Sequence, residues 1–193
     1  MKKIHLLVAV TAVLACACAN GQNKPSAAAT EAPAAEVAQA PEETPETAPQ
    51  IERGIEEGQL FTDFTITQED GTKVSLSDYV GKGKFVLVDF WASWCGPCRR
   101  EIPNIKAVWE KYHGDSFEVL SVAVWDKPAD SKAAIAEEGL AWPQIINAQQ
   151  VPTDIYGIEG IPHIILFGPD GVIVKRNLRG PQIEQAVKAA LGL

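Results

Sequence analysis

Phe85-Val86-Leu87-Val88-Asp89-Phe90-Trp91-Ala92-Ser93-Trp94-Cys95-Gly96-Pro97-Cys98 is the stretch that decides the fold. Its first seven residues form an apolar run broken by a single acid. A run of this length and composition predicts a strand buried on both faces. Asp89 then loses its hydration, which costs kilocalories unless the carboxyl is neutral or has a task. Two cysteines separated by two residues follow, where the chain is expected to turn into a helix. Strand, dithiol, helix and one buried acid together point to redox chemistry.

At a helix start, Cys95 lies near free backbone N–H groups and the positive end of the helix dipole. Those favour thiolate over thiol, and the thiolate is the nucleophile. Pro97 suits the first turn, where its missing N–H would have had no partner. The spacing lets Cys98 reach back to Cys95 and close a disulfide within one turn. Cys95 is therefore expected to be the exposed attacker, Cys98 the buried resolving thiol, and Asp89 the group that exchanges a proton with Cys98. Other readings stand beside this one: a structural bridge, which gains little entropy across so short a loop, an inert thiol pair, or a satisfied core carboxylate at Asp89. A zinc site would need a second Cys-x-x-Cys or a Cys/His pair downstream. No cysteine follows Cys98, and the later histidines, His113 and His163, are isolated, so no metal is expected.

The segment Val86 to Arg99 resembles the active-site signature of the thioredoxin superfamily. A second match is Tyr156-Gly157-Ile158-Glu159-Gly160-Ile161-Pro162, followed by the apolar strand His163-Ile164-Ile165-Leu166-Phe167. The resemblance implies a cis Ile161–Pro162 bond lying against the dithiol. It also implies a substrate backbone docked there, among Trp94, Gly96, Pro97, Ile161 and Pro162. The wide spacing of the two motifs, with the front segment Gly58 to Ser77, is more similar to the extracytoplasmic TlpA/ResA-like disulfide reductases. The likeness runs from Gly54 to Leu193. His163 stands where thioredoxins usually carry threonine, and two roles are open to it: a partner of the thiolate or substrate, or a strand residue pointing elsewhere. Arg99 and Arg100 read as a solvated helix face, the alternative being tuning of the cysteines or of substrate charge.

Lys2-Lys3 followed by the apolar run Leu6 to Ala15 reads as an export signal, too short to span a bilayer. Val13-Leu14-Ala15-Cys16 resembles a bacterial lipobox, which makes residues 1–15 a lipoprotein-type signal peptide and Cys16 the lipidated first residue. Cys18 is the second candidate, and an ordinary cleaved signal or an uncleaved anchor are the alternatives. In residues 19–50, Ala, Pro and Glu fill 20 of 32 positions and Val37 is the one large aliphatic side chain. Such a segment cannot bury enough apolar surface to offset chain entropy, so residues 16–53 are expected to be a disordered tether, kept extended by proline.

Residues 54–193, about 140 in number, suffice for one domain with a proper core. The formal charge is −8. Without residues 1–15 the basic residues fall from 17 to 15 against 25 acidic ones, a charge of −10. That argues against nucleic acid or anionic headgroups as partners. Gly81-Lys82-Gly83-Lys84 lacks the Ser/Thr and helix of a phosphate loop and reads as a turn.

The expected class is α/β: a thioredoxin-like central mixed sheet flanked by helices, with an N-terminal β-hairpin extension. The hairpin pairs Leu60–Ile66 with Lys73–Leu76. Strands follow at Phe85–Trp91 and Phe117–Val124, parallel to each other, and a hairpin joins His163–Phe167 to Val172–Lys175. Helices are expected from the dithiol to Tyr112 with a kink at Pro103, from Ser131 to Glu138, and from Pro181 onward, the last burying Ile183, Ala186, Val187, Ala190 and Leu191.

The resulting expectation is a lipid-anchored, extracytoplasmic oxidoreductase on the periplasmic side of a bacterial envelope, working without cofactor. It would reduce disulfides of exported proteins and draw electrons from a membrane-embedded donor. The Gly-Pro dipeptide resembles thioredoxin, whose dithiol lies near about −270 mV. Rival readings are a disulfide oxidase or isomerase, a non-catalytic thioredoxin-fold binding lipoprotein, and a peroxiredoxin-like thiol peroxidase. The last would want a threonine shortly before its reactive cysteine, which Trp91-Ala92-Ser93-Trp94 does not supply.

Overall fold

The computed structural model describes residues 51–193. The export signal, both lipidation candidates and the tether up to residue 50 lie outside the described residues.

The strand predicted at the centre forms over those same seven residues, β3 (Phe85–Trp91). It pairs in parallel with β4 (Phe117–Ala123) on one side and antiparallel with β6 (His163–Phe167) on the other. Two-residue β5 (Gln144–Ile145) and β7 (Ile173–Lys175) close the edges, giving the order β5-β4-β3-β6-β7. Helix α1 (Gly96–Tyr112) crosses from β3 to β4. Helices α2 (Pro128–Glu138) and α3 (Val151–Tyr156) lie between β4 and β6, and α4 (Pro181–Leu191) ends the chain. The central sheet is mixed and flanked by helices, the expected class.

Strand alternation divides the core in two. Leu87, Trp91, Phe117, Val119, Ile164 and Leu166 face α1, α2 and α4, and both cysteines belong to this layer. Val86, Val88, Phe90, Leu120, Val122, Ile165 and Phe167 face the other way, onto Tyr156 of α3 and the front segment. Asp89 shares the parity of Leu87 and Trp91, so it faces the cysteine layer.

Two expectations are corrected. The hairpin arms are short, β1 (Thr65–Thr67) and β2 (Lys73–Ser75). Leu60 instead bridges Arg53 and Val172, and the Asp63 carboxylate turns the intervening chain by accepting from Phe64 N and Ser77 N, both at 2.9 Å. Helix α2 starts three residues earlier than expected, because Pro128 at its first position supplies the helical φ in place of a side-chain cap. Helix α1 spans Gly96–Tyr112 with Pro103 inside it, the range expected from the sequence. Its buried face is Cys98, Ile102, Ile105 and Val108, with Trp109 and Tyr112 packed partly against the layer.

Candidate active site

Cys95 is the N-cap of α1, and its Sγ accepts from Cys98 N at 3.1 Å. The sulfur thus occupies the place of a capping oxygen, where one orphan N–H of the first turn needs an acceptor. Cys95 and Cys98 are joined as a disulfide, with Cα atoms 5.2 Å apart. In this oxidised state Cys95 is 3% exposed and Cys98 1%. The expected order of burial holds, but an exposed Cys95 does not: Ile161 O lies 3.7 Å from its Sγ. With the disulfide closed no S–H exists to donate, so this is a packing contact that covers the sulfur.

The Ile161–Pro162 bond is cis, as the resemblance implied. Ile161 packs against both core layers at the end of the sheet. A group bonded to Cys95 must therefore run beside the Ile161–Pro162 main chain. Gly96 and Pro97 are exposed, Pro162 is buried, and Trp94 is 62% exposed. An aromatic ring that open next to a sulfur is a surface for an apolar partner.

The loop carrying Trp94 is held by Asp126, which the sequence did not reveal, and by Arg99, which is not the solvated helix-face residue expected. Asp126 accepts from Ser93 N at 2.7 Å and Ser93 Oγ at 2.9 Å. It also accepts from Ser131 Oγ at 2.8 Å and Lys127 N at 2.9 Å. Trp94 Nε1 donates to Trp125 O at 3.0 Å, and Trp125 reaches that position at φ +53°. A bulky side chain in the left-handed region is strained by roughly 1–3 kcal/mol, and such strain collects at functional sites. On the far side Arg99 Nε donates to Ser93 O at 3.0 Å, while its guanidinium pairs with Glu137 and Glu138, each at 3.0 Å. Arg99 is thus a strut between this loop and the end of α2. Arg100 stays on the exposed helix face, as expected.

Asp89 is 3% exposed, and its Oδ1 finds no hydrogen-bond partner. Burial pushes its carboxyl up from 3.8 to about 7. The nearby Arg179 guanidinium works against that rise, and Glu101 adds to it. An acid poised near neutrality can accept and release a proton at ordinary pH. His163 goes elsewhere. It pairs in register with Phe90 and shares the parity of Ile165 and Phe167, on the face away from the cysteine layer. Burial first, then Arg176 and Arg179, push its imidazole down to about 4, and its Nε2 has no partner.

A five-stranded mixed sheet with a Cys-Gly-Pro-Cys helix start, Ile161 O of the cis Ile161–Pro162 peptide pair against the sulfur and a buried acid on the cysteine face of the central strand defines a thioredoxin-fold dithiol protein. Residues 58–176 match the AhpC/TSA family, and the chain belongs to it. Thiol-disulfide oxidoreductase ResA of Geobacillus thermodenitrificans is 30% identical over 134 residues, covering 69% of this chain and 75% of that protein. Among solved structures, the thioredoxin domain of a thiol-disulfide oxidoreductase from Bacteroides vulgatus is 34% identical with a TM-score of 0.63. It covers 70% of this chain and 98% of its own. A thiol:disulfide interchange protein from Bacteroides sp. is also 34% identical, with a TM-score of 0.61 over 69% of this chain and 89% of its own. The chain is a thiol-disulfide oxidoreductase of the thioredoxin superfamily.

Proposed function

We propose that this oxidoreductase works as a reductant of disulfides in exported proteins, tethered to a membrane outside the cytoplasm. The observation that carries the reading is the buried, unpartnered Oδ1 of Asp89, on the strand face shared with Leu87 and Trp91 that packs the capped dithiol. The Cys95 thiolate attacks a substrate disulfide, forming a mixed disulfide and expelling one substrate thiolate. Cys98 gives its proton to the Asp89 carboxylate, and its thiolate attacks the Cys95 sulfur. The Cys95–substrate bond breaks, the second substrate sulfur leaves with the electron pair, and the Cys95–Cys98 disulfide forms. Two electrons have passed to the substrate, so a donor must return two. The Gly96-Pro97 dipeptide supports reduction over oxidation, through its likeness to reducing dithiols.

Substrate enters along Trp94 and the Ile161–Pro162 main chain, the surfaces that flank Cys95. No helix among the described residues is long and apolar enough to cross a membrane. The tether rests on Cys16, with Cys18 second, and on the Ala-, Pro- and Glu-rich residues up to 50 as spacer; Glu52 and Arg53, placed in the tether from the sequence, instead join the fold through Leu60. Mass spectrometry of the mature N-terminus is expected to find diacylglycerol on Cys16 or Cys18, and an unmodified N-terminus elsewhere ends the tether. The electron donor in this reading is membrane-embedded.

Insulin reduction and a redox titration of Cys95–Cys98 test the activity. Reduction with a potential near that of reducing thioredoxins is the expected result. A strongly oxidising potential turns the direction round. Insulin binding without turnover, or peroxide consumption without insulin reduction, overturns the reading in favour of a binding protein or a peroxidase.

A further inference from the structure

Arg179 stands between β7 and α4, half-buried. Its Nη1 donates to Leu178 O at 2.7 Å, and its Nη2 donates to the carbonyl of Pro162. Next to it, Gly180 N donates to Glu101 Oε2 at 2.9 Å, and the same oxygen accepts from Asn104 Nδ2 at 2.9 Å. Three elements therefore meet at one point: α1 through Glu101, the start of α4 through Gly180, and the cis-proline loop through Pro162. The guanidinium is permanently charged, yet both of these hydrogen bonds run to neutral main-chain carbonyls. Among the described residues it makes no ion pair within 4 Å, unlike Arg99 and Arg176. A cation held by carbonyls keeps its charge free to act on acids further off.

We propose that Arg179 is a positioning residue that ties the cis-proline loop to the buried acid Asp89, so that substrate docking and proton transfer are one linked event. The inference rests on the reading of Asp89 as the proton carrier. Ile161 O covers the Cys95 sulfur at 3.7 Å, so a substrate bonded to that sulfur must lie along the loop whose next carbonyl, Pro162 O, holds the guanidinium. Seating the substrate settles Pro162, Pro162 settles Arg179, and Arg179 favours the carboxylate that takes the proton of Cys98.

The groups that act on this centre come from every packed element. The Arg179 charge favours the carboxylate of Asp89 on β3, and Glu101 of α1 opposes it. On reduction the Cys95 thiolate at the start of α1 adds a negative charge. β4 contributes the neutral Ser121 in register with Asp89. His163 on β6 feels both Arg176 and Arg179, which favour its neutral form.

The test uses Arg179→Met and Arg179→Lys in the full chain, with two readouts. One is the titration of the Asp89 carboxyl by carbon-detected NMR in the oxidised protein, which needs no activity. Arg179→Met is expected to move that midpoint to higher pH by about one pH unit, the size of effect a nearby opposite charge exerts. Arg179→Lys keeps the charge but loses the two-pronged donor, so its midpoint is expected to stay near the parent's. The other readout is insulin reduction across pH. Both variants are expected to raise KM several-fold, and only the Met variant is expected to move the pH profile of kcat upward. An unchanged Asp89 midpoint and a superimposable profile in Arg179→Met overturn the proposal, whatever the loss of Tm. Should Arg179→Met fail to fold, an unchanged KM in Arg179→Lys overturns it instead. Absence of insulin reduction in the parent would sink the reductase reading and leave the NMR arm standing.

Discussion

Two carboxylates around the dithiol are buried, Asp89 at 3% exposure and Asp126 at 6%. Asp126 receives four donors, two from Ser93 and one each from Lys127 and Ser131. Oδ1 of Asp89 receives none. The residue type is the same and the depth nearly so. What separates them is hydrogen bonding, which repays desolvation at one site and not at the other. The satisfied acid braces the loop that presents Trp94 and Cys95. The unsatisfied one has its carboxyl moved to about 7, into the range where protons move.

Asp89→Asn is the largest way to break that contrast. Removal of the proton acceptor is expected to slow resolution of the mixed disulfide by ~10²–10⁴-fold, read by stopped-flow decay of a trapped Cys95 adduct. Stability moves in the opposite direction. A carboxyl raised from 3.8 to about 7 by folding contributes fully below pH 4, and that contribution is lost as pH rises to 7. Above pH 8 the loss is roughly 4 kcal/mol as an upper figure. Asp89→Asn is therefore expected to be more stable than the parent at pH 8, with the gain vanishing towards pH 4, in urea melts at both pH values. A destabilised variant with normal turnover would make Asp89 a structural group like Asp126.

Asp126→Ala tests the other half. It leaves the Ser93 N–H without its acceptor, and hydrogen bonds to charged groups contribute about 1.5–3 kcal/mol each. A loss of about 2–4 kcal/mol is expected from urea unfolding, with higher KM as Trp94 and Cys95 lose their placement. The pH profile of resolution is expected to keep its midpoint. A shifted midpoint would mean that the two acids do not divide the work.

What the sequence revealed follows the same division. β3 was legible to the residue because six apolar positions around one acid, followed by a dithiol, leave little else to fit, and α4 because Gly180-Pro181 marks a helix start. The cysteines and Asp89 were legible since they sit on one continuous segment. Asp126 was not: its Ser93 partners lie 33 residues away. Arg179 reads as an ordinary surface cation until Pro162 is brought to it. Helix α3 and strand β5 escaped because six and two residues carry no periodicity. The start of α2 was misplaced because Ser131, a good cap by type, spends its hydroxyl on Asp126 and Lys127 O instead.

Arg99→Leu gives a smaller effect. Its pairs with Glu137 and Glu138 are partly exposed, and pairs of that kind contribute at most about 1 kcal/mol. The bond to Ser93 O adds a comparable amount, so a loss of about 1–2 kcal/mol in urea melts is expected. Since Asp126 still holds Ser93 N, KM is expected to change less than in Asp126→Ala. An equal or larger KM effect would shift the bracing of the loop from the acid to the arginine.

The smallest effect is expected at His163, although the residue adjoins the cis proline. Its strand parity directs it away from the cysteine layer, and burial with Arg176 and Arg179 keeps it neutral down to about pH 4. Between pH 6 and 8 its charge does not change, so His163→Gln is expected to alter turnover by less than about twofold. The effect that remains is on stability. A histidine with its folded value below 6.5 contributes stability above 6.5 and loses it as pH falls through about 4. His163→Gln escapes that loss, so its Tm relative to the parent is expected to rise steadily from pH 7 to pH 4. A turnover defect at neutral pH, with no such trend in Tm, would bring the imidazole back to the dithiol side and reopen its part in substrate binding.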